Sequence, residues 1–112
     1  MEKNKVDKIS NDFTKIIKNK LKSHLKEIIL FGSHARGDFT EGSDYDFLVI
    51  VDRSEKKVRE IVLDACVEIM NKHYSLIGCI VCDEKEWEKK RRFPIGLNIS
   101  KEGIELWKQK AA

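Results

Sequence analysis

Long apolar runs are absent from this chain of 112 residues. No stretch approaches the ~20 consecutive apolar residues that a membrane-spanning helix needs. The opening residues, Met-Glu-Lys-Asn-Lys-Val-Asp-Lys, are followed by no signal-peptide core, so we expect no membrane association and no export. Repeats, linkers and low-complexity tracts are also missing. The length therefore predicts a single domain over residues 1–112, with a modest core and no room for a second substrate-binding lobe.

Cysteine is scarce, with three residues in the chain. An odd number of cysteines without an export signal predicts a reducing, cytoplasmic setting. The Cys79-x-x-Cys82 spacing raises the question of a metal or redox site, with Cys66 and His73 as further candidate ligands. The odd separation places Cys79 and Cys82 on opposite faces of a strand, where they cannot share one tetrahedral ion. Small buried apolar side chains are the favoured interpretation.

Charges of both signs are abundant and nearly balanced. Of all residues 37% are charged, and the net charge is +3. The first predicted helix carries Lys8, Lys15, Lys18 and Lys22 on the side away from its apolar residues. No aromatic residues interleave with these lysines, so the pattern indicates a solvated face and not a nucleic-acid surface.

Helical and strand patterns alternate along the chain. They predict helices over residues 6–23, 54–73 and 94–101, a short helix capped by Asp83, and strands over residues 28–31, 46–51, 75–82 and 104–107. We therefore predict an α/β fold with a small mixed β-sheet of about four strands and helices packed on it.

The segment of residues 28–51 combines two features suited to phosphate chemistry. Gly32 and Ser33 close one apolar run, where a glycine lets the backbone approach a phosphate closely. Asp44 and Asp46 open the next run, and carboxylates at i and i+2 of a strand project from the same face. Two such carboxylates can hold one or two hard divalent cations. The pattern predicts a site for a metal-bound nucleoside triphosphate.

This arrangement resembles the signature of the nucleotidyltransferase superfamily that includes DNA polymerase beta, and most closely its minimal nucleotidyltransferases. Arg36-Gly37 and Gly42-Ser43 match the flanking elements of that signature, and the match covers about a quarter of the chain. The resemblance implies the nucleotidyltransferase fold, with Asp44 and Asp46 as catalytic metal ligands. It also implies nucleotide binding by Gly32, Ser33, Arg36, Gly42 and Ser43, although Arg36 could equally pair with Asp38 or Glu41 on the surface.

The resemblance further implies a reaction and a partner. An acceptor hydroxyl would attack the α-phosphate of ATP, with Mg²⁺ or Mn²⁺ bound and pyrophosphate leaving. Minimal nucleotidyltransferases often act as antitoxins of HEPN-domain ribonuclease toxins, so the expected acceptor is a protein of that kind. A cytoplasmic antitoxin that transfers AMP to its partner is thus the first hypothesis.

A third carboxylate, which active members carry on a neighbouring strand, is not found. The candidate strand over residues 74–82 contains no Asp or Glu, and Asp52, Asp64 and Asp83 match the position poorly. A Mg-nucleotide-binding module that neutralises a partner without catalysis therefore remains an alternative. An antibiotic nucleotidyltransferase is disfavoured, because such enzymes carry additional acceptor-binding structure.

Further predictions concern one histidine and several aromatic and aliphatic side chains. His34 could contact phosphate or solvent, and a solvated loop histidine is the favoured interpretation. We expect Trp87 to pack in the core or at an interface. Apolar residues near the C-terminus are candidates for partner contact, although core packing explains them equally well: Phe93, Ile95, Leu97 and Trp107.

Overall fold

The computed structural model describes residues 7–110, in which four strands form one mixed sheet. The strand order is β3-β2-β1-β4, with β1 antiparallel to β2 and β4 and with β2 parallel to β3. The predicted α/β fold class is confirmed. The elements are α1 Lys8–Leu21, a 3₁₀ turn Lys22–His24, β1 Leu25–Phe31, α2 Ser33–Arg36, β2 Tyr45–Val51, α3 Lys56–His73, β3 Ile77–Asp83, α4 Glu84–Lys90, α5 Pro94–Glu102 and β4 Ile104–Lys108.

Strand β2 lies in the centre of the sheet and is apolar from Phe47 to Val51 because both of its faces are covered. Phe47 and Val49 pack towards α1 and α3, where the Phe13 ring stacks on the Phe47 ring at a centroid distance of 4.0 Å. Leu48 and Ile50 belong to the second apolar layer, with Ile99 of α5. Asp46, two residues before Leu48, therefore projects on the α4 and α5 side of the sheet.

Most predicted elements are present, with shifted ends. Strand β1 begins at Leu25, three residues before the predicted start, since its pairing with β2 and β4 extends beyond its apolar run. Helix α3 begins at Lys56 and not at residue 54, because the Ser54 hydroxyl accepts a hydrogen bond from Arg59 Nε at 2.8 Å and caps no helix N–H group. The predicted start of the first helix at residue 6 lies outside the described residues.

Two local predictions are confirmed: the cap of α4 by Asp83 and the placement of Cys79 and Cys82 on opposite faces of β3. Asp83 caps α4, accepting a hydrogen bond from the Glu86 N–H at 2.8 Å, while the Glu86 carboxylate accepts one from the Asp83 N–H at 2.9 Å. Cys79 and Cys82 contribute to the apolar clusters on opposite faces of the sheet. Within residues 7–110, no group of three or more His, Cys, Asp or Glu side chains could hold a metal ion.

The surface of the described part matches several expectations. Lys8, Lys15, Lys18 and Lys22 are all exposed, as predicted for a solvated helix face. Trp87 is half-buried against the second apolar layer, and Trp107 against the first. No helix in the described part of the chain is long and apolar enough to cross a membrane.

Candidate active site

The turn after β1 places a glycine next to a carboxylate. Gly32 has φ +78°, a conformation that side chains disfavour, and a Cβ atom added there would lie 2.5 Å from Asp46 Oδ2. Its carbonyl oxygen accepts hydrogen bonds from the N–H groups of Ala35 and Arg36, both at 3.0 Å. These two bonds connect the glycine to the single turn of α2. The first N–H groups of such a turn have no intrahelical partner and can face a ligand. Gly32 thus lies directly beside the Asp46 carboxylate, and Ser33 follows it at the start of α2.

Asp46 lies between two glycines at the end of the sheet. It pairs with Phe31 of β1 on one side and with Gly78 of β3 on the other. A Cβ atom at Gly78 would lie 2.9 Å from Asp46 Oδ1. Both oxygens of the carboxylate therefore occupy space that a side chain at Gly32 or Gly78 would fill. Asp44 precedes β2 on the same side of the strand and is exposed.

The electrostatics of this pair favour a cation. Burial raises the pKa of the Asp46 carboxyl, and the neighbouring Asp44 raises it further, while His34 and Arg36 lower it in part. A raised pKa means that the negative charge of Asp46 is not fully compensated within the protein. A carboxylate with uncompensated charge beside a second carboxylate can provide oxygen ligands for a hard divalent ion such as Mg²⁺. The residues present therefore fit the metal that the motif implies.

Removing this charge should stabilise the protein without metal. Because the folded-state pKa of Asp46 is raised, its contribution to stability is present below the unfolded pKa and is lost as pH rises through the folded pKa. We expect Asp46→Asn to unfold at a higher temperature than the parent at pH 7 in EDTA. The difference should disappear near pH 4, around the pKa of an unfolded Asp. Exposed Glu41 provides the control, and a Glu41→Gln variant that gave the same pH-dependent gain would contradict this account.

The loop between α2 and β2 is more ordered than the sequence indicates. The His34 ring stacks on Tyr45 at a centroid distance of 3.7 Å and on Phe39 at 4.3 Å. His34 Nε2 lies 3.1 Å from the Ser43 carbonyl oxygen, and Ser43 Oγ accepts a hydrogen bond from the Thr40 N–H at 3.0 Å. The prediction of a solvated His34 is wrong, because two aromatic rings enclose it. These contacts fix the loop that carries Gly42, Ser43 and Asp44.

Arg36 adopts the surface pairing that the sequence left open, with one partner that was not predicted. Its Nε donates to Asp38 Oδ2 at 3.1 Å, and its terminal nitrogen donates to Glu102 Oε2 at 2.9 Å. Glu102 is 66 residues away in the sequence, so no local pattern indicates it. Phosphate contact by Arg36, Gly42 and Ser43 remains a prediction.

The strand next to Asp46 carries glycine where a third carboxylate would stand. Gly78 is the β3 residue that faces Asp46, while Ile77 packs with the opposite apolar layer. The other aspartates have different roles. Asp52 pairs with His24 at a distance of 2.9 Å after the far end of β2, and Asp83 caps α4.

Comparisons with known proteins agree with this geometry. Residues 11–105 match the nucleotidyltransferase domain family. The chain is 36% identical over 101 residues to a proposed protein adenylyltransferase of Methanocaldococcus jannaschii, and the alignment covers 90% of this chain and 97% of the relative. The chain therefore belongs to the nucleotidyltransferase domain family, and the resemblance to minimal nucleotidyltransferases is confirmed.

Solved structures share the fold. Spectinomycin adenyltransferase of Enterococcus faecalis, determined with ATP and spectinomycin, matches with a TM-score of 0.68 and 17% identity, over 92% of this chain and 56% of that chain. A chain from the complex of a tri-AMPylated HEPN toxin with an MNT antitoxin of Shewanella oneidensis matches with a TM-score of 0.57 and 17% identity, over 90% of this chain and 71% of that chain. Such low identities support the common fold alone.

Proposed function

We propose that this chain transfers AMP from ATP to a protein acceptor and acts as the cytoplasmic antitoxin of a HEPN-type partner. The observation that carries the proposal is the juxtaposition of the Gly32-Ser33 turn with Asp44 and Asp46 at one end of the sheet. The M. jannaschii relative and the AMPylated toxin complex supply the substrate and the kind of partner.

In the proposed reaction, the hydroxyl oxygen of the acceptor forms a bond to the α-phosphorus of ATP. The bond from that phosphorus to the bridging oxygen breaks, and pyrophosphate leaves with the electron pair. Asp44 and Asp46 would hold the divalent metal, which stabilises negative charge on the transferring phosphate when bound. The backbone N–H groups of the Gly32-Ser33 turn and the Ser33 hydroxyl would bind phosphate oxygens, while the missing Cβ atom of Gly32 leaves room for the Asp46 carboxylate.

Within residues 7–110, the β3 position that faces Asp46 offers the acceptor hydroxyl no general base. Gly78 faces Asp46 where a carboxylate would otherwise stand, so the proton of the hydroxyl must pass to solvent or to a group of the partner. A general base contributes typically ~10²–10⁴ in rate. We therefore expect slow transfer that Mn²⁺ stimulates.

An apolar patch near the site is a candidate contact surface for the acceptor protein. Phe93 directly precedes α5 and Leu97 lies on it four residues later, with 61% and 57% of the two residues exposed. Ile95 is also exposed. Helix α5 ends at Glu102, which contacts Arg36, and Glu102 lies about 8 Å from Leu97 along the helix axis. A partner lying along α5 would therefore approach the helix that follows the Gly32-Ser33 turn. Trp107 does not belong to this patch, since it is half-buried under Lys18.

Partner contact at α5 has a direct test. We expect Leu97→Asp to reduce labelling of the HEPN partner from α-labelled ATP about tenfold, because a charge would be buried at the interface, while Mg-ATP binding stays unchanged. Leu63→Asp is the matched control, since Leu63 is 61% exposed on α3. Equal labelling by the parent and Leu97→Asp would remove α5 from the interface. Recovery of the parent alone, without a partner, from its native host at several salt concentrations would count against the antitoxin role.

A second function remains open because of Gly78. A module that binds Mg-ATP and neutralises its partner without turnover needs the two carboxylates but no base. Labelled ATP, Mn²⁺ and the partner distinguish the two functions: partner labelling supports transfer, while Mg-ATP binding and complex formation without label support the binding module.

A further inference from the structure

Arg36 is anchored from two sides, by elements far apart in the sequence. Asp38 in the loop after α2 accepts a hydrogen bond from its Nε at 3.1 Å. Glu102 at the end of α5 accepts one from its terminal nitrogen at 2.9 Å. The guanidinium group has five N–H donors in a rigid plane, so three donors remain for another ligand.

The backbone on either side of this contact is fixed. The Arg36 N–H group donates to the Gly32 carbonyl oxygen at 3.0 Å. On α5, the Gly103 N–H group donates to the Ile99 carbonyl oxygen at 2.8 Å, and a Cβ atom at Gly103 would lie 2.5 Å from Ile29 Cγ2. The end of α5 is therefore packed tightly against β1. Glu102 is held at a set position relative to the Gly32-Ser33 turn.

We propose that Glu102 is a positioning residue for the ATP triphosphate, acting through Arg36. This inference rests on the proposed function. Arg36 lies one helical turn from Ser33, on the helix that directly follows the Gly32 turn beside Asp46. Holding the guanidinium by Nε and one terminal nitrogen restricts its rotamers before ATP arrives, so less conformational entropy is lost on binding. The free edge of the guanidinium can then donate to phosphate oxygens.

A purely structural role explains the contact less well. The Arg36 side chain is 43% exposed, and solvent-exposed ion pairs contribute little to stability. Helix α5 is already attached to β1 through Gly103 and the β4 pairing. The contact therefore adds little to the attachment of α5, whereas it determines where the Arg36 guanidinium lies.

A double-mutant cycle tests the inference. Glu102→Ala and Glu102→Gln are made in the parent and in Arg36→Ala, and Mg-ATP affinity is measured by calorimetry beside transfer kinetics. We expect Glu102→Ala in the parent to raise the Kd and KM for ATP about five- to tenfold, with kcat within about twofold. Glu102→Gln should have a smaller effect of the same sign. Neither change should weaken ATP binding further when Arg36 is already alanine.

The control is a second surface carboxylate paired with an arginine. Glu88 lies 3.2 Å from Arg91, and Glu88→Gln should leave the affinity, KM and melting temperature unchanged. Equal losses from Glu102→Ala in both backgrounds would overturn the inference, because Glu102 would then act independently of Arg36. Tighter ATP binding by Glu102→Ala would also overturn it, since Glu102 would be competing with phosphate. If the parent itself does not bind Mg-ATP, the proposed function falls together with the inference; a parent that binds without coupling overturns the inference alone.

Discussion

Asp46→Asn should abolish nucleotidyl transfer and weaken the metal dependence of ATP binding while the fold stays intact. Its carboxylate is the partly buried member of the pair, and its neighbours leave its charge uncompensated. Removing a ligand of a catalytic metal costs several kcal/mol of transition-state stabilisation, and about 4 kcal/mol corresponds to a loss of about 10³-fold. Single-turnover transfer of labelled AMP measures the rate, and calorimetry with and without Mg²⁺ measures the binding.

The double variant Asp44→Asn with Asp46→Asn sharpens this test. It should bind ATP with the same affinity in Mg²⁺ and in EDTA, because no carboxylate of the pair remains. Glu41→Gln, in the exposed loop beside Asp44, is the control that should behave like the parent. Equal Mg-ATP affinity of the double variant and the parent would refute the metal site.

Gly78→Asp should raise the transfer rate, by up to about 10²-fold, the lower end of what a general base contributes. Gly78 faces Asp46 across the parallel β2 and β3 pair, so an Asp side chain there would lie beside the carboxylate at which we propose the reaction occurs. The same substitution should also destabilise the protein without metal. The new Cβ atom would lie 2.9 Å from Asp46 Oδ1, and a third carboxylate would add repulsion in the apo protein. We expect a lower melting temperature in EDTA that Mn²⁺ restores.

Gly78→Asn is the matched control for this variant. It has nearly the same size but cannot accept the proton, so it should lose stability without a gain in rate. Equal rates for the Asp and Asn variants would show that Gly78 is not the position from which a base acts. Absence of labelled product from the parent and from Gly78→Asp, despite Mg-ATP binding, would favour the binding module.

The predictable part of the site is encoded locally. Gly32, Ser33, Asp44 and Asp46 lie within one short segment, and the alternation of side chains along a strand gives the common face of the two carboxylates. The fold class followed from the order of the apolar segments, which chain connectivity restricts to few topologies. The other details of the site depend on contacts between segments that are distant in the sequence.

Three details depend on such distant contacts. Gly78 faces Asp46 only because α3 returns the chain to a parallel register beside β2. Glu102 meets Arg36 because Gly103 packs the end of α5 against β1. His34 is enclosed by Tyr45, whose hydroxyl donates to Asp7 at 2.8 Å. Neither periodicity nor motif spacing carries information on these packings.

The two carboxylates of the site lie on segments that differ in how far they are buried from solvent. Asp46 lies in the central strand β2, whose following residues from Phe47 to Val51 are buried, whereas Asp44 stands in an exposed loop. Amide hydrogens of central strands exchange mainly through global unfolding, and those of exposed loops exchange through local opening. Mg-ATP should therefore slow hydrogen exchange in residues 38–44 far more than in β2. Capture of Mg-ATP would then suppress the local opening of the loop that carries Asp44, while the backbone at Asp46 opens only when the whole domain unfolds.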